Sequence, residues 1–296
     1  MIIDAHHHLW QPDHGYHWLD DPALAAIRRP FTPADLTAAL TSAGVDGTVL
    51  VEGGRCHPDE AAEFLGHAAD TPAILGVVAW VDIAGGEVSA TVRRYRQLPG
   101  GELLVGMRSQ VQGEADPDHL DRPDVRRGLA EVADAGLVFD LVIRADQLPA
   151  AARAARAVPQ LSFVLDHLGK PRIDRGAAGL AGWRDPLAAL AASPNVTGKL
   201  SGLVTEAAPD WSPADLSPFV EVAVDEFGPG RLMFGSDWPV CLLRSDYPGV
   251  RRALTAALPP LSPGDRREIF AGTAVRTYRL TPPAEPAEPT APGPVT

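Results

Sequence analysis

Three consecutive histidines near the start of the chain are its first chemistry-bearing feature. Asp4-Ala5-His6-His7-His8 closes a short apolar run that begins at Ile2. Side chains alternate along a strand, so His6 and His8 share one face and His7 points the other way. Two imidazoles two residues apart on one face can ligate one metal ion or hold one water. Asp4 is expected on that face one step deeper, placed to orient an imidazole. A second histidine, His167, ends "FVLDHLGKP" and is expected on the face of Phe163 and Leu165. Alternation then sends Asp166 to the opposite side, between strand and helix. Asp237 ends "LMFGSDWPV". A carboxylate after an apolar run is costly unless it meets a metal, a histidine or a water that it activates. The competing role for Asp237, shared with Ser236, is a helix N-cap.

Those residues lie far apart in sequence, so a scaffold must gather them. Apolar, β-rich runs recur at 2–8, 48–52, 74–82, 103–109, 137–143, 162–167, 196–201 and 232–237. Several are almost continuously apolar ("VVAWV", "LVFDLVI", "FVLDH"), as in parallel strands buried on both faces. Helical patterns separate them near 33–43, 58–69, 87–97, 124–135, 150–157, 183–192, 216–227 and 248–258. Thr32-Pro33-Ala34-Asp35 supplies an N-cap, a proline at the first helical position and an acid in the first turn. Gly44 supplies the matching stop. Strand and helix alternating eight times predict an α/β protein built as a (β/α)8 TIM barrel over 1–280. No Gly-x-Gly-x-x-Gly follows an early strand, which disfavours an open dinucleotide-binding sheet. Barrel active sites sit at the C-terminal ends of the strands, where His8, His167 and Asp237 all fall.

Composition narrows the function classes. A net charge of −12 argues against binding a nucleic-acid backbone. No apolar run approaches the roughly 20 residues that cross a bilayer. Only Cys56 and Cys241 are present, so no disulfide framework is expected and a reducing compartment fits. With no secretory leader at the N-terminus, the expectation is a cytoplasmic protein. From 281 to 296 the chain is proline-rich and almost without large apolar side chains, and is expected to be a disordered tail.

The strings "DAHHHLW", "LDHLGKP", "KLSGL", "FGSDWPV" and "FAGTAVRTYRL" occur in this order and together resemble the amidohydrolase superfamily. The closer likeness is to its branch of metal-dependent TIM-barrel hydrolases that includes sugar-acid lactonases, of the L-fuconolactonase and L-rhamnonolactonase kind. The resemblance implies opening of a sugar lactone by water, in carbohydrate metabolism, with a small-molecule lactone as partner and a homo-oligomer compatible with it. The expected mechanism has Asp237 as general base, His6 and His8 positioning the water or holding a metal, Arg108, Lys199 or that metal stabilising the oxyanion, and His167 protonating the leaving ring oxygen. Ligand type and count allow one divalent ion, zinc first, on His6, His8 and Asp237, with or without His167, and metal-free catalysis is an equal alternative. Binuclear relatives carry a carboxylated lysine on strand four and a histidine on strand five. "LLVGMRSQV" and "LVFDLVI" offer neither.

Five further residues are candidates for substrate binding. Arg108 can bond a carbonyl or carboxylate oxygen, or form a surface ion pair. Lys199 can polarise the lactone carbonyl, and Glu52 can accept from sugar hydroxyls or lie at the rim. Trp10 and Trp238 can stack on a sugar face or pack in the core. Two rival readings stand beside the lactonase. One is a metal-dependent decarboxylase of an aromatic or unsaturated acid, which typically adds the missing strand-five histidine. The other is a barrel that binds a sugar acid without turning it over.

Overall fold

The structure is a computed structural model that describes residues 1–282. The segment expected to be a disordered tail lies, from residue 283 on, outside the described residues. Eight parallel strands run in chain order: β1 (Ile3–His7), β2 (Gly47–Val51), β3 (Ile74–Trp80), β4 (Leu104–Ser109), β5 (Val138–Leu141), β6 (Phe163–Leu165), β7 (Val196–Leu200) and β8 (Leu232–Phe234). The ring closes where Asp237 N donates to His6 O at 2.9 Å and His8 N to Trp238 O at 2.7 Å. Helices α1 (Pro33–Ala43), α2 (Pro58–Asp70), α3 (Val88–Arg96), α4 (Pro123–Asp134), α5 (Leu148–Ala157), α6 (Gly176–Ala191), α7 (Pro213–Phe227) and α8 (Tyr247–Ala257) alternate with them. The short α9 (Pro263–Arg267) and α10 (Thr273–Tyr278) follow. The expected (β/α)8 barrel is what the chain forms.

Local signals explain the element ends. Thr32 caps α1 through a capping box with Asp35, and Gly44 ends it in the left-handed region at φ 62°. β5, β6 and β8 are shorter than their apolar runs, because the chain leaves the ladder at Leu141, Leu165 and Phe234. Two apolar layers hold the ring. Leu50, Phe139, Phe163 and Phe234 belong to the larger cluster, with helix residues such as Phe64 and Leu129. Ala5, Val49, Val78, Val138, Val164 and Met233 form a second cluster with Tyr278 of α10. Residues from strands on opposite sides of the ring meet only across its interior, so this cluster is the barrel's plug and α10 seals one end. None of the helices among the described residues is long and apolar enough to cross a membrane.

Candidate active site

Above that apolar plug the barrel interior turns ionic. Lys199 on β7 is fully buried, with Nζ 2.6 Å from Asp140 Oδ2 and 2.9 Å from Asp166 Oδ1. Tyr278 Oη, from α10, donates to the Asp140 carboxylate at 2.9 Å. Arg108 donates Nε to Glu52 Oε1 and Nη1 to Asp166 Oδ2, both at 2.8 Å, and Nη2 to the Glu52 carbonyl. Isolated ions here would be expensive, and mutual pairing is what makes them tolerable. Burial pushes the Asp166 carboxyl up, but Lys199, His6 and Arg108 more than offset this and hold it well below the usual carboxylate range. Burial raises the Asp140 carboxyl to about 6 despite Lys199.

The histidines stand on this layer. His8 Nδ1 is 2.8 Å from the Val51 carbonyl, which requires a proton on Nδ1 and leaves Nε2 with its lone pair. His6 Nδ1 lies 3.1 Å from Lys199 Nζ and 3.3 Å from Asp166 Oδ1. That carboxylate oxygen has no well-aligned donor of its own. A proton on His6 Nδ1 satisfies it and leaves the His6 Nε2 lone pair facing His8 Nε2 across 3.2 Å. Burial, reinforced by Lys199, holds His6 well below the ordinary imidazole value, so it is neutral at pH 7. Asp237 Oδ1 lies 3.4 Å from His8 Nε2 and 3.8 Å from His6 Nε2. Burial pushes the Asp237 carboxyl up, yet His167, His8 and Lys170 together bring it below its ordinary value. Two imidazole lone pairs and a carboxylate oxygen converging on one point form a donor set for a divalent cation. A tetrahedral ion at roughly 2.0–2.1 Å from each nitrogen separates its ligands by about 3.3 Å, close to the spacing of the two Nε2 atoms.

His167 reaches the site through an unusual turn. Four consecutive residues have positive φ: His167 at 53°, Leu168 at 50°, Gly169 at 72° and Lys170 at 55°. Each non-glycine residue there costs about 1–2 kcal/mol, so surrounding structure must impose the turn. Lys170 N bonds His167 O at 2.9 Å, and Trp183 Nε1 of α6 donates to Leu168 O at 2.8 Å. His167 Nδ1 meets Ser201 Oγ at 2.9 Å, and its Nε2 is 4.0 Å from Asp237 Oδ1. Burial lowers the His167 imidazole to about 4, against the pull of Asp237 and Asp166. Gly202, at φ 64°, permits this approach, because a Cβ there would come 2.5 Å from His167 Nδ1.

Over these groups opens a cavity of about 510 Å³, lined by His8, His167, Asp237 and Arg108 together with Trp18, Gln110, Gln112 and Lys170, among others. That size and mix of walls suits a small polar ligand. His6, His8, His167 and Asp237 therefore meet as expected, with His6 forming the floor.

Several expectations need correction. The β1–β2 register shifts between Asp4 and His7, which puts Asp4 off the histidine face. Its carboxylate accepts from Ser236 N at 2.8 Å, from Ser236 Oγ at 2.5 Å and from Tyr247 Oη. Asp166 points inward because β6 ends at Leu165 and the alternation stops there. Lys199 is sealed beneath the floor by its carboxylates and does not line the cavity. Arg108 is buried in the interior rather than paired at the surface, and Glu52 is fully buried as its partner. Trp10 spends Nε1 on the Ile27 and Arg29 carbonyls and packs edge-on to Phe31, which also meets Trp238 edge-on. The aromatic that does line the cavity is Trp18, anchored by Nε1 to Gly53 O at 2.9 Å. Its signal in the sequence was the long stretch between the first strand and first helix, since such loops are seldom idle. Asp140, inside "LVFDLVI", was visible as a lone charge in a buried strand.

Glu60, at the start of α2, is buried behind the rim and accepts from Gly53 N at 2.9 Å. Burial, with help from Glu52, pushes its carboxyl up from 4.5 to about 8. The folded protein keeps that proton while the unfolded chain loses it near 4.5, so stability falls as pH rises through the window between. Glu60→Gln keeps the acceptor and removes the penalty. Its melting temperature is expected to exceed the parent's by a few degrees at pH 8 and to match it at pH 4, as read by scanning calorimetry.

Comparison with known proteins places this geometry among relatives. The family model described as amidohydrolase matches residues 3–280. An L-fucono-1,5-lactonase of Burkholderia multivorans is 36% identical over 96% of this chain and 98% of its own length. An L-fucono-1,5-lactonase of Burkholderia ambifaria is 34% identical, covering 95% of this chain and 97% of its own. A crystal structure of an amidohydrolase from Burkholderia multivorans with bound zinc superposes with a TM-score of 0.88 at 35% identity, over 95% of this chain and all of that one (100%).

Proposed function

Because this chain belongs to the amidohydrolase family, we propose that it is a lactonase that opens a sugar-acid lactone with water at the barrel mouth. The observation that carries this reading is the convergence of His6, His8, His167 and Asp237 at one cavity. Asp237 is ionised at neutral pH and is the only carboxylate among the named cavity-lining residues, which makes it the general base. It removes a proton as the water oxygen bonds to the lactone carbonyl carbon and the carbonyl π pair moves onto oxygen. When that pair returns, the bond to the ring oxygen breaks. His167 is neutral at rest, so the proton it delivers to the ring oxygen is the one Asp237 has just taken, 4.0 Å away. The products are a hydroxy-acid carboxylate and one net proton.

We propose further that His6, His8 and Asp237 hold one divalent ion, zinc being the first candidate for two nitrogens and one oxygen. Such an ion supplies positive charge that acidifies water and polarises a carbonyl. Asp166 then orients His6, and the Val51 carbonyl orients His8. A decarboxylase reading is weaker, since β5 carries Asp140, whose carboxylate is engaged by Lys199 and Tyr278. The unpaired Cys56 and Cys241 fit a cytoplasmic setting.

The test is a panel of sugar lactones, L-fucono-1,5-lactone included, followed by acid release above the uncatalysed rate, with and without chelator. The expected result is rapid acid release that falls on chelation and returns with zinc. His6→Ala and His8→Ala protein should retain under a tenth of the parent's metal by elemental analysis. Thermal stabilisation by sugar acids without acid release from any lactone would sink the proposal in favour of a binding protein, and gas release from an aromatic acid would favour a decarboxylase.

A further inference from the structure

Lys170 is a cation at the cavity for which the mechanism above has no task. The chain has two lysines. Lys199 is sealed below the floor by Asp140 and Asp166, whereas Lys170 is half-buried and lines the cavity with His8, His167 and Asp237. Among the described residues, no hydrogen bond or ion pair engages the Lys170 ammonium. Arg108 also reaches the cavity, but Glu52 and Asp166 already neutralise its charge. Glu206 is close enough to feel Lys170, yet its burial-raised carboxyl forms no ion pair with it.

The backbone places this ammonium deliberately. His167 and Lys170 begin and end the left-handed turn, joined by the bond from Lys170 N to His167 O. One turn of that kind stacks the two side chains on one side, and both line the cavity. The ammonium's field also reaches the reacting groups, helping to lower Asp237 and His167. Ring opening places negative charge first on the carbonyl oxygen and then on the new carboxylate. A free cation beside the base is where such charge is stabilised.

We propose that Lys170 is the anion clamp of this site: its ammonium donates to the carbonyl oxygen as it becomes an oxyanion, then holds the product carboxylate. The assignment rests on the lactonase reading. It makes Lys170 a catalytic residue that contacts the substrate, and it passes to this residue the role expected of Lys199.

The experiment compares the parent protein with Lys170→Met and Lys170→Arg on the lactone turned over fastest in the panel. Lys170→Met is expected to lower kcat about 100-fold, as loss of one oxyanion donor does. It should also weaken inhibition by the product hydroxy acid at least tenfold, with an unchanged melting temperature. Lys170→Arg should recover most of both. A Lys170→Met protein with kcat within threefold of the parent, or with undiminished product inhibition, overturns the proposal. If the parent opens no lactone, the lactonase reading fails, and calorimetric titration with sodium gluconate still tests the clamp. Affinity that drops tenfold in Lys170→Met supports it, and equal affinity for the two proteins overturns it.

Discussion

Asp237→Asn is expected to lower kcat on the sugar lactone by about 10³-fold while leaving the fold and melting temperature close to the parent's. The substitution is chosen for its backbone as much as for its chemistry. Asp237 sits at φ 57°, a conformation that asparagine tolerates and most residues do not. Its N–H, which closes the ring onto His6 O, is retained. What disappears is a basic oxygen able to take a proton from water. Asp237→Ala would add backbone strain and confuse the two effects, so Asn is the cleaner probe. Metal content measured on the same preparation separates loss of the base from loss of a ligand. Activity within tenfold of the parent at full metal occupancy would remove Asp237 from the role of base.

The largest effect on stability is expected from Lys199→Met. Lys199 Nζ is the shared counter-charge of Asp140 and Asp166, and all three side chains are fully buried. Methionine fills much of the same volume but leaves two carboxylates facing each other, with Arg108 and His6 as the remaining partners of Asp166 and Tyr278 as that of Asp140. Breaking a buried ionic arrangement from one side costs about 3–5 kcal/mol, which for a domain of this size lowers the melting temperature by roughly 10 °C. Adding Asp140→Asn removes one of the stranded charges and should restore part of the loss. Urea denaturation of the parent, the single and the double variant reads both terms. A single variant as stable as the parent would show that Lys199 does not anchor this layer.

The barrel was legible because its signals are local. "VVAWV" and "LVFDLVI" declare buried strands, and Thr32 through Gly44 declare a capped helix; the structure forms each. The convergence of the four candidate residues was legible because they sit at or near strand ends, and a parallel barrel has only one rim where those ends meet. Alternation was the tool that failed, and it failed where the strand ladder was irregular or had already ended. Asp4 precedes a register shift, and Asp166 precedes four left-handed residues, so neither points where a period of two would send it. Lys199 was misplaced for another reason. Its partners come from β5, the turn after β6 and α10, and no spacing in the sequence shows that Asp140, Asp166 and Tyr278 will surround it.

The seam of the ring has a kinetic corollary. His6 and His8 belong to the first strand and Asp237 follows the last, and the same residues carry the hydrogen bonds that join those two edges. An open sheet with every helix in place would still be inert, because its donors would stand at opposite margins. During refolding, the onset of turnover therefore clocks a single late event, the meeting of chain segments some 230 positions apart, while spectroscopic probes of helix content report the earlier ones.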